Sequence, residues 1–307
     1  MFSREVTEHG YVTYPRRFEG YKWSKPIIVT VLFLAFYYMF MNVIVLFSAV
    51  CSGNLTEMIK NLKSGYDAFD TFSAFGALAT LGSIAAAIPA LMLAAAIFKD
   101  RPFSSYTSSR GGWNWKIFFI MLVPALIIIG IPGVILTLRE NGNHVVRFTV
   151  VGFIMVTILG PLQCVAEEYI FRGLIMQTVG SWFRLPIIGI IVQVIVFAVL
   201  HPYNMWGVLS ISVTGLCFGI IAYLTKGLET SSAVHIVNNM IAFYMTGFGL
   251  GKIETNVNPT DLIFNAIALP IYIVVIIIIE KKFHLFDEVK KDDVAIFNEK
   301  KQQSQKA

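Results

Sequence analysis

The chain predicts an all-α fold, a polytopic bundle of about eight transmembrane helices, and three observations predict it. Of the 307 residues, 56% are hydrophobic and only 14% are charged, where soluble domains carry about a quarter charged residues. The apolar residues gather into runs long enough to cross a bilayer, which takes roughly 17–25 residues. The charged residues collect at the two ends and between the runs. Backbone groups inside lipid must bond internally, so each run is expected to be a helix.

The spans are expected near 27–50, 71–98, 117–138, 148–178, 187–201, 208–224, 231–248 and 262–279, the fifth and sixth being short. Pro124, Pro132 and Pro161 fall inside spans and are expected to kink them. Residues 1–26 hold eight charged side chains, Arg4 to Lys25, and so read as a cytoplasmic segment and not a signal peptide. Residues 27–279 form one helical domain without an internal repeat or linker, and 280–307 read as a charged, solvated cytoplasmic tail. Cys51, Cys164 and Cys217 show no paired spacing, which excludes a disulfide framework and a zinc-cluster pattern.

Lysine and arginine distribution sets the expected orientation. Of the 24, 18 fall on one side: the N-terminal segment, the loops at 99–116, 179–186 and 225–230, and the tail. Five fall on the other side (Lys60, Lys63, Arg139, Arg147, Lys252), and Arg172 lies within a span. Both termini should therefore face the cytoplasm. The formal charge of +5 then reflects topology and contact with anionic lipid. No separate basic domain is present to bind nucleic acid.

Against this background AEEYIFRG, residues 166–173, is unexpected, because it sets Glu167, Glu168 and Arg172 inside an apolar span. Ionisable groups at membrane depth cost at least a few kcal/mol and usually face a bundle interior or a wet cavity. Glu168 and Arg172 are spaced i, i+4 and can neutralise one another. Glu167 is turned about 100° away, on a stripe with Gln163, Phe171 and Leu174, and has no obvious partner nearby in sequence. Among five histidines, His9, His144 and His284 fall in tails or loops, where a solvated surface position is expected. His201 ends a run with Gln193 and Phe197 on one face, and His235 stands one turn before Asn239 with Asn238 adjacent. A lone membrane histidine is usually an interhelical hydrogen-bonder. Two of them with a carboxylate and an amide, on three helices, could instead surround a water molecule or a metal ion.

The series E-E-x-x-x-R, F-x-x-x-H and H-x-x-x-N, here Glu167, Glu168, Arg172, Phe197, His201, His235 and Asn239, resembles the CAAX-protease and bacteriocin-processing family of intramembrane peptidases, related to the Ras-converting CAAX protease. The resemblance extends to a core at about 110–280 and says nothing of the first two spans or the tail. It implies peptide hydrolysis, with Glu167 as general base and His201 beside it. It further implies that His235 and Asn239 stabilise the oxyanion, with Glu168, Arg172 and Phe197 supporting the site. A glutamate beside a second carboxylate in low dielectric suits a base, and a well-placed oxyanion donor contributes about 2.7–4 kcal/mol. Many members of the family are regarded as metalloproteases, and Glu167, His201 and His235 would make a three-ligand zinc set. The chain has no H-E-x-x-H, however, and asparagine is a poor zinc ligand, so no cofactor is required and zinc stays an option.

The implied partners are the lipid bilayer and a peptide or membrane-protein substrate. G-x-G-D and G-x-S-G protease signatures are missing, and GFGLGK at 247–252 fails the phosphate-loop pattern at Thr246 and Ile253. Asn54-Leu55-Thr56 is a glycosylation triplet with meaning only in a eukaryotic secretory pathway. The competing class is a non-catalytic immunity or scaffold protein that binds a sensor kinase or transporter and keeps its polar core for packing. A solute transporter would call for repeats or broken helices in pairs. One feature strains the common-site reading: counted from the cytoplasmic side, His235 should lie shallow, Glu167 intermediate and His201 deep. Reporter fusions after residues 26 and 280 should both give cytoplasmic signals; signals from opposite sides would mean an odd number of spans.

Overall fold

The computed structural model describes residues 10–53, 55–56, 69–139, 142, 144–252 and 256–306. Asn54 of the glycosylation triplet, His9, Lys60, Lys63 and Ile253 lie outside the described residues. Among those described, all regular structure is helical apart from one isolated bridge between Ser108 and Gly227.

Eight helices occupy the eight expected segments: α1 (Lys25–Cys51), α2 (Ala74–Phe98), α3 (Trp115–Arg139), α4 (Val150–Phe183), α5 (Pro186–Val199), α6 (Met205–Leu224), α7 (Glu229–Gly247) and α8 (Pro259–Phe283). Six of them, all but α5 and α7, are long and apolar enough to cross a membrane. The chain is thus a multi-pass membrane protein. α5, with 14 residues, rises only about 21 Å, short of the roughly 30 Å hydrocarbon core. α4, with 34 residues, rises about 51 Å and must tilt or project beyond it.

Burial follows the logic of a bilayer. Large side chains such as Leu34, Val43, Ile127, Ile158, Ile195 and Ile278 are exposed, whereas Glu168, Arg172, Gln177, Gln193 and Ser231 are fully buried. Hydrocarbon outside replaces the water that would otherwise drive these apolar groups inward. Wide π turns interrupt α2 at Leu78–Gly82, α3 at Leu126–Gly130 and α4 at Tyr169–Met176. The turn in α3 falls between Pro124 and Pro132, neither of which can donate to the helical ladder. The turn in α4 starts directly after Glu168, a common position for such bulges near functional groups.

The two termini share one face of the bundle. Phe18 and Phe297 meet edge to face at 5.4 Å, the Glu19 N–H donates to Asn298 Oδ1 at 2.9 Å, and Lys301 Nζ donates to the Glu19 carbonyl at 2.7 Å. The tail is therefore not simply solvated: its helix α9 (Asp293–Lys306) is docked, and Lys226 pairs with Asp287 at 2.8 Å. On this face Arg110 is buried against Glu229 at 2.8 Å and also donates to the Thr225 carbonyl. The second oxygen of Glu229 accepts from the Asn114 N–H at 3.0 Å. On the opposite face, the His144 N–H donates to the Gly249 carbonyl and the Arg147 N–H to the Gly247 carbonyl, both at 2.9 Å. GFGLGK there is the exit turn of α7, with Gly249 at φ +75°. His144 and His284 are exposed, as expected.

Arg110→Ala would leave the Glu229 carboxylate buried and unpaired, at a cost of about 3–5 kcal/mol. A thermal melt in detergent should show a large fall for this variant, with much of the loss recovered by Arg110→Met combined with Glu229→Leu. Equal melting of Arg110→Ala and wild type would show that the pair contributes nothing.

Candidate active site

α4, α5 and α7 bring the sequence-predicted residues to the wall of one cavity of about 620 Å³, lined by Gln163, Glu167, Phe197, His201, His235 and Asn239 among others. The expected mismatch in depth therefore does not prevent a common site. Residue counting assumes that helices share a length, and α4 and α5 have 34 and 14 residues. The π turn after Glu168 also alters the rotation and rise of everything that follows in α4.

Glu168 is the hub. Its Oε1 accepts from Arg172 Nη1 at 3.0 Å and lies 2.9 Å from His235 Nδ1, with both acid and base fully buried. The expected i, i+4 pair is thus present, but it is not closed on itself, since it also holds a histidine from another helix. The anchoring continues outward through backbone: Arg172 Nη2 donates to the Gly215 carbonyl of α6 at 3.3 Å, and Gln193 Nε2 donates to the same oxygen at 2.8 Å. A side chain at Gly215 would come within 3.0 Å of the Phe197 ring, so the close approach of α6 to α5 requires glycine there.

Glu167 does have a partner close in sequence, contrary to expectation. Gln163, one turn earlier, donates from Nε2 to Glu167 Oε1 at 2.6 Å. The other oxygen, Oε2, stands 3.5 Å from His235 Nε2. Asn239 Nδ2 approaches the same nitrogen at 3.3 Å, and Asn238 donates to Asn239 Oδ1 at 3.2 Å. His235 therefore lies between two carboxylates, one at each ring nitrogen, with Phe218 packed 5.2 Å from its ring. The Glu167 side chain is 12% exposed and Glu168 fully buried, so water reaches the first carboxylate and not the second.

His201 is not on a helix face. α5 ends at Val199, because the residue before Pro202 disfavours helical backbone, and His201 sits in the turn that follows. Its Nδ1 lies 2.6 Å from the Phe197 carbonyl. A carbonyl only accepts, so the proton of that ring is on Nδ1. The ring packs 4.6 Å from Phe197 and 5.7 Å from Tyr203. Phe197 also lies beneath the Arg172 guanidinium at 4.8 Å and against Phe171 at 4.7 Å.

Among the described residues, no three His, Cys, Asp and Glu side chains converge as metal ligands. Cys51, Cys164 and Cys217 are all free thiols. Sequence reasoning did not give roles to Gln163, Gln193 or the Gly215 carbonyl. Gln163 had a signal, an amide four residues before Glu167 in a charge-free run, whereas a backbone oxygen has none.

Residues 147–241 match the family model described as type II CAAX prenyl endopeptidase Rce1-like, which bears out the resemblance read from the motifs. That range contains Glu167, Glu168, Arg172, Phe197, His201, His235 and Asn239. The chain is also 26% identical over 166 residues to "Uncharacterized protein YyaK" of Bacillus subtilis (strain 168), covering 50% of this chain and 56% of that protein. The chain thus spans about half the length of the curated relative it matches. No solved structure matches it.

The geometry separates the two glutamates. Glu168→Gln would leave Arg172 buried without a counter-charge, a change on the order of 3–5 kcal/mol, so folded protein recovered from membranes should drop sharply, as it should for Arg172→Ala. Glu167→Gln keeps an amide against Gln163 at a wetter position and should leave the yield within about twofold of wild type, since it strands no buried charge. Parallel loss of protein in all three variants would contradict the distinction.

Proposed function

We propose that the chain is a CAAX-type intramembrane endopeptidase that hydrolyses a peptide bond of a membrane-associated peptide or protein, starting from the endopeptidase match of residues 147–241. The observation that carries the reading is the position of His235 between Glu167 and Glu168, at 3.5 and 2.9 Å, on the wall of a cavity with Glu167 partly open to it.

Glu167 then takes a proton from a water in the cavity as that water attacks the scissile carbonyl, and gives it to the amide nitrogen as the C–N bond breaks and the amine leaves. The carbonyl oxygen gathers negative charge and accepts from His235 and from Asn239 Nδ2, donors already fixed on the cavity wall. Gln163 holds Glu167 by one oxygen and leaves the other to the reacting water. Glu168 fixes the His235 ring through Nδ1 and does no chemistry itself. His201, held by the Phe197 carbonyl, presents Nε2 as an acceptor for the water or the substrate amide. The face carrying the termini is assigned to the cytoplasm on the lysine and arginine distribution. The unit doing this work is residues 110–280, within a helical domain spanning 27–279.

Zinc held by Glu167, His201 and His235 is the second reading. One observation suits it: both histidines are oriented through Nδ1 by an oxygen acceptor, as metal-binding imidazoles usually are. No step above runs through a metal. A scaffold that binds a sensor kinase or transporter would need none of this polar geometry aimed at a cavity.

Two measurements test the assignment. Membranes with wild-type protein should yield peptide products by mass spectrometry that vanish with Glu167→Gln and fall about 10²–10³-fold with Asn239→Ala, the scale for one oxyanion donor. Strong chelators should change the activity of purified protein little. Stoichiometric zinc in active protein, lost together with activity in His201→Ala, would replace the glutamate-centred mechanism with the metal one.

A further inference from the structure

We propose that the cavity is a funnel of mixed polar and apolar lining that admits an extended, unlipidated peptide segment from the face opposite the two termini. The inference rests on the hydrolase reading of the site and adds its substrate class and its direction of entry.

The two ends of the cavity differ. Toward the terminal face, the structure beyond His235 is a plug: Glu168, Arg172, Glu229, Ser231 and Ser232 are all 0% exposed. At the other end Lys252, Asn256, Asn258 and Asp261 line the cavity and are exposed. From His235 to the end of α7 at Gly247 the helix rises about 18 Å. An extended peptide advances about 3.3 Å per residue, so about five or six residues would lie between the mouth and the glutamates.

The wall sets the chemistry of the guest. Between mouth and Glu167 it carries Thr137, Ser210, Thr214, Asn238, Asn239 and Asn265, set among apolar Leu136, Ile211, Ile241, Met245 and Phe264. Hydroxyls and carboxamides pair with peptide N–H and C=O groups wherever they fall along a chain. Against a prenyl or acyl chain they would lose water and gain nothing, at about 1–3 kcal/mol for each buried polar group. Asn265 already commits its Nδ2 to Ser210 Oγ at 2.9 Å, which leaves its carbonyl oxygen to accept from a guest. Asn256 commits Oδ1 to Asn204 at 2.6 Å, which leaves its amide nitrogen to donate. The apolar groove of Ile191, Val194, Leu209 and Leu216 shares no lining residue with the cavity.

The test uses full-length Glu167→Gln protein, which binds without turnover, and a polar photoreactive decapeptide with or without a long acyl chain. The plain peptide should crosslink to α7 and α8, the acylated form no more strongly. Asn265→Leu and, as an independent exposed variant, Asn256→Ala should each weaken crosslinking, the first about tenfold, or about 1.4 kcal/mol. In sealed vesicles with the termini inside, peptide added outside should react. Failure of both peptides to crosslink, a tenfold preference for the acylated one, or reaction only from the terminal face would overturn the proposal. Crosslinking as expected, with no hydrolysis by wild type, would uphold the funnel and remove the peptidase reading.

Discussion

A fully buried carboxylate, Glu168, shared between Arg172 and His235 at 3.0 and 2.9 Å, is the interaction on which the rest of the arrangement depends. Burying an ion pair in a membrane costs several kcal/mol unless every charge is met at close range. Here the acid and the base lie on α4, the histidine on α7, and the guanidinium reaches a carbonyl of α6. Satisfying the charges therefore joins three helices and sets the rotation of each about its axis. The polar core specifies the packing as much as it benefits from it.

From that joint the division between the adjacent glutamates follows. They differ by one residue, and one helical step turns Glu168 into the protein and Glu167 toward the cavity. The first has its oxygen occupied by Arg172 and His235; the second keeps one oxygen for Gln163 and the other within 3.5 Å of His235. His235 links them, with one carboxylate at each ring nitrogen, so the polar groups sit in the helical core without an isolated charge.

The asymmetry of the molecule has the same origin. On the terminal face, Arg110, Glu229 and the docked helix Asp293–Lys306 seal the bundle. On the other face α5 stops early, His201 hangs in a turn, and Asn256 and Asn258 line an open polar mouth. A short α5 beside a long α4 leaves space that side chains do not fill, and the cavity occupies it.

What the sequence determined by itself was the class and most of the cast. A low fraction of charge, eight apolar runs and the clustering of charge between them were enough for a helical membrane bundle, because lipid leaves the backbone no other option. Glu167, Glu168, Arg172, His201, His235 and Asn239 stood out because polar groups in apolar runs are costly and so seldom idle. The i, i+4 pairing of Glu168 with Arg172 was legible because both lie on one helix. Tertiary structure alone decided the rest. Sequence spacing carries no information about which helix faces which, so the capture of His235 by Glu168 and the anchoring of Arg172 on the Gly215 carbonyl could not be read from it. His201 was read as the end of a helical face, but α5 stops at Val199 ahead of Pro202 and leaves that residue in a turn. The tail was read as solvated because its charges are dense, yet Phe297 finds Phe18 across the chain, a contact between residues too far apart for any local pattern to reveal.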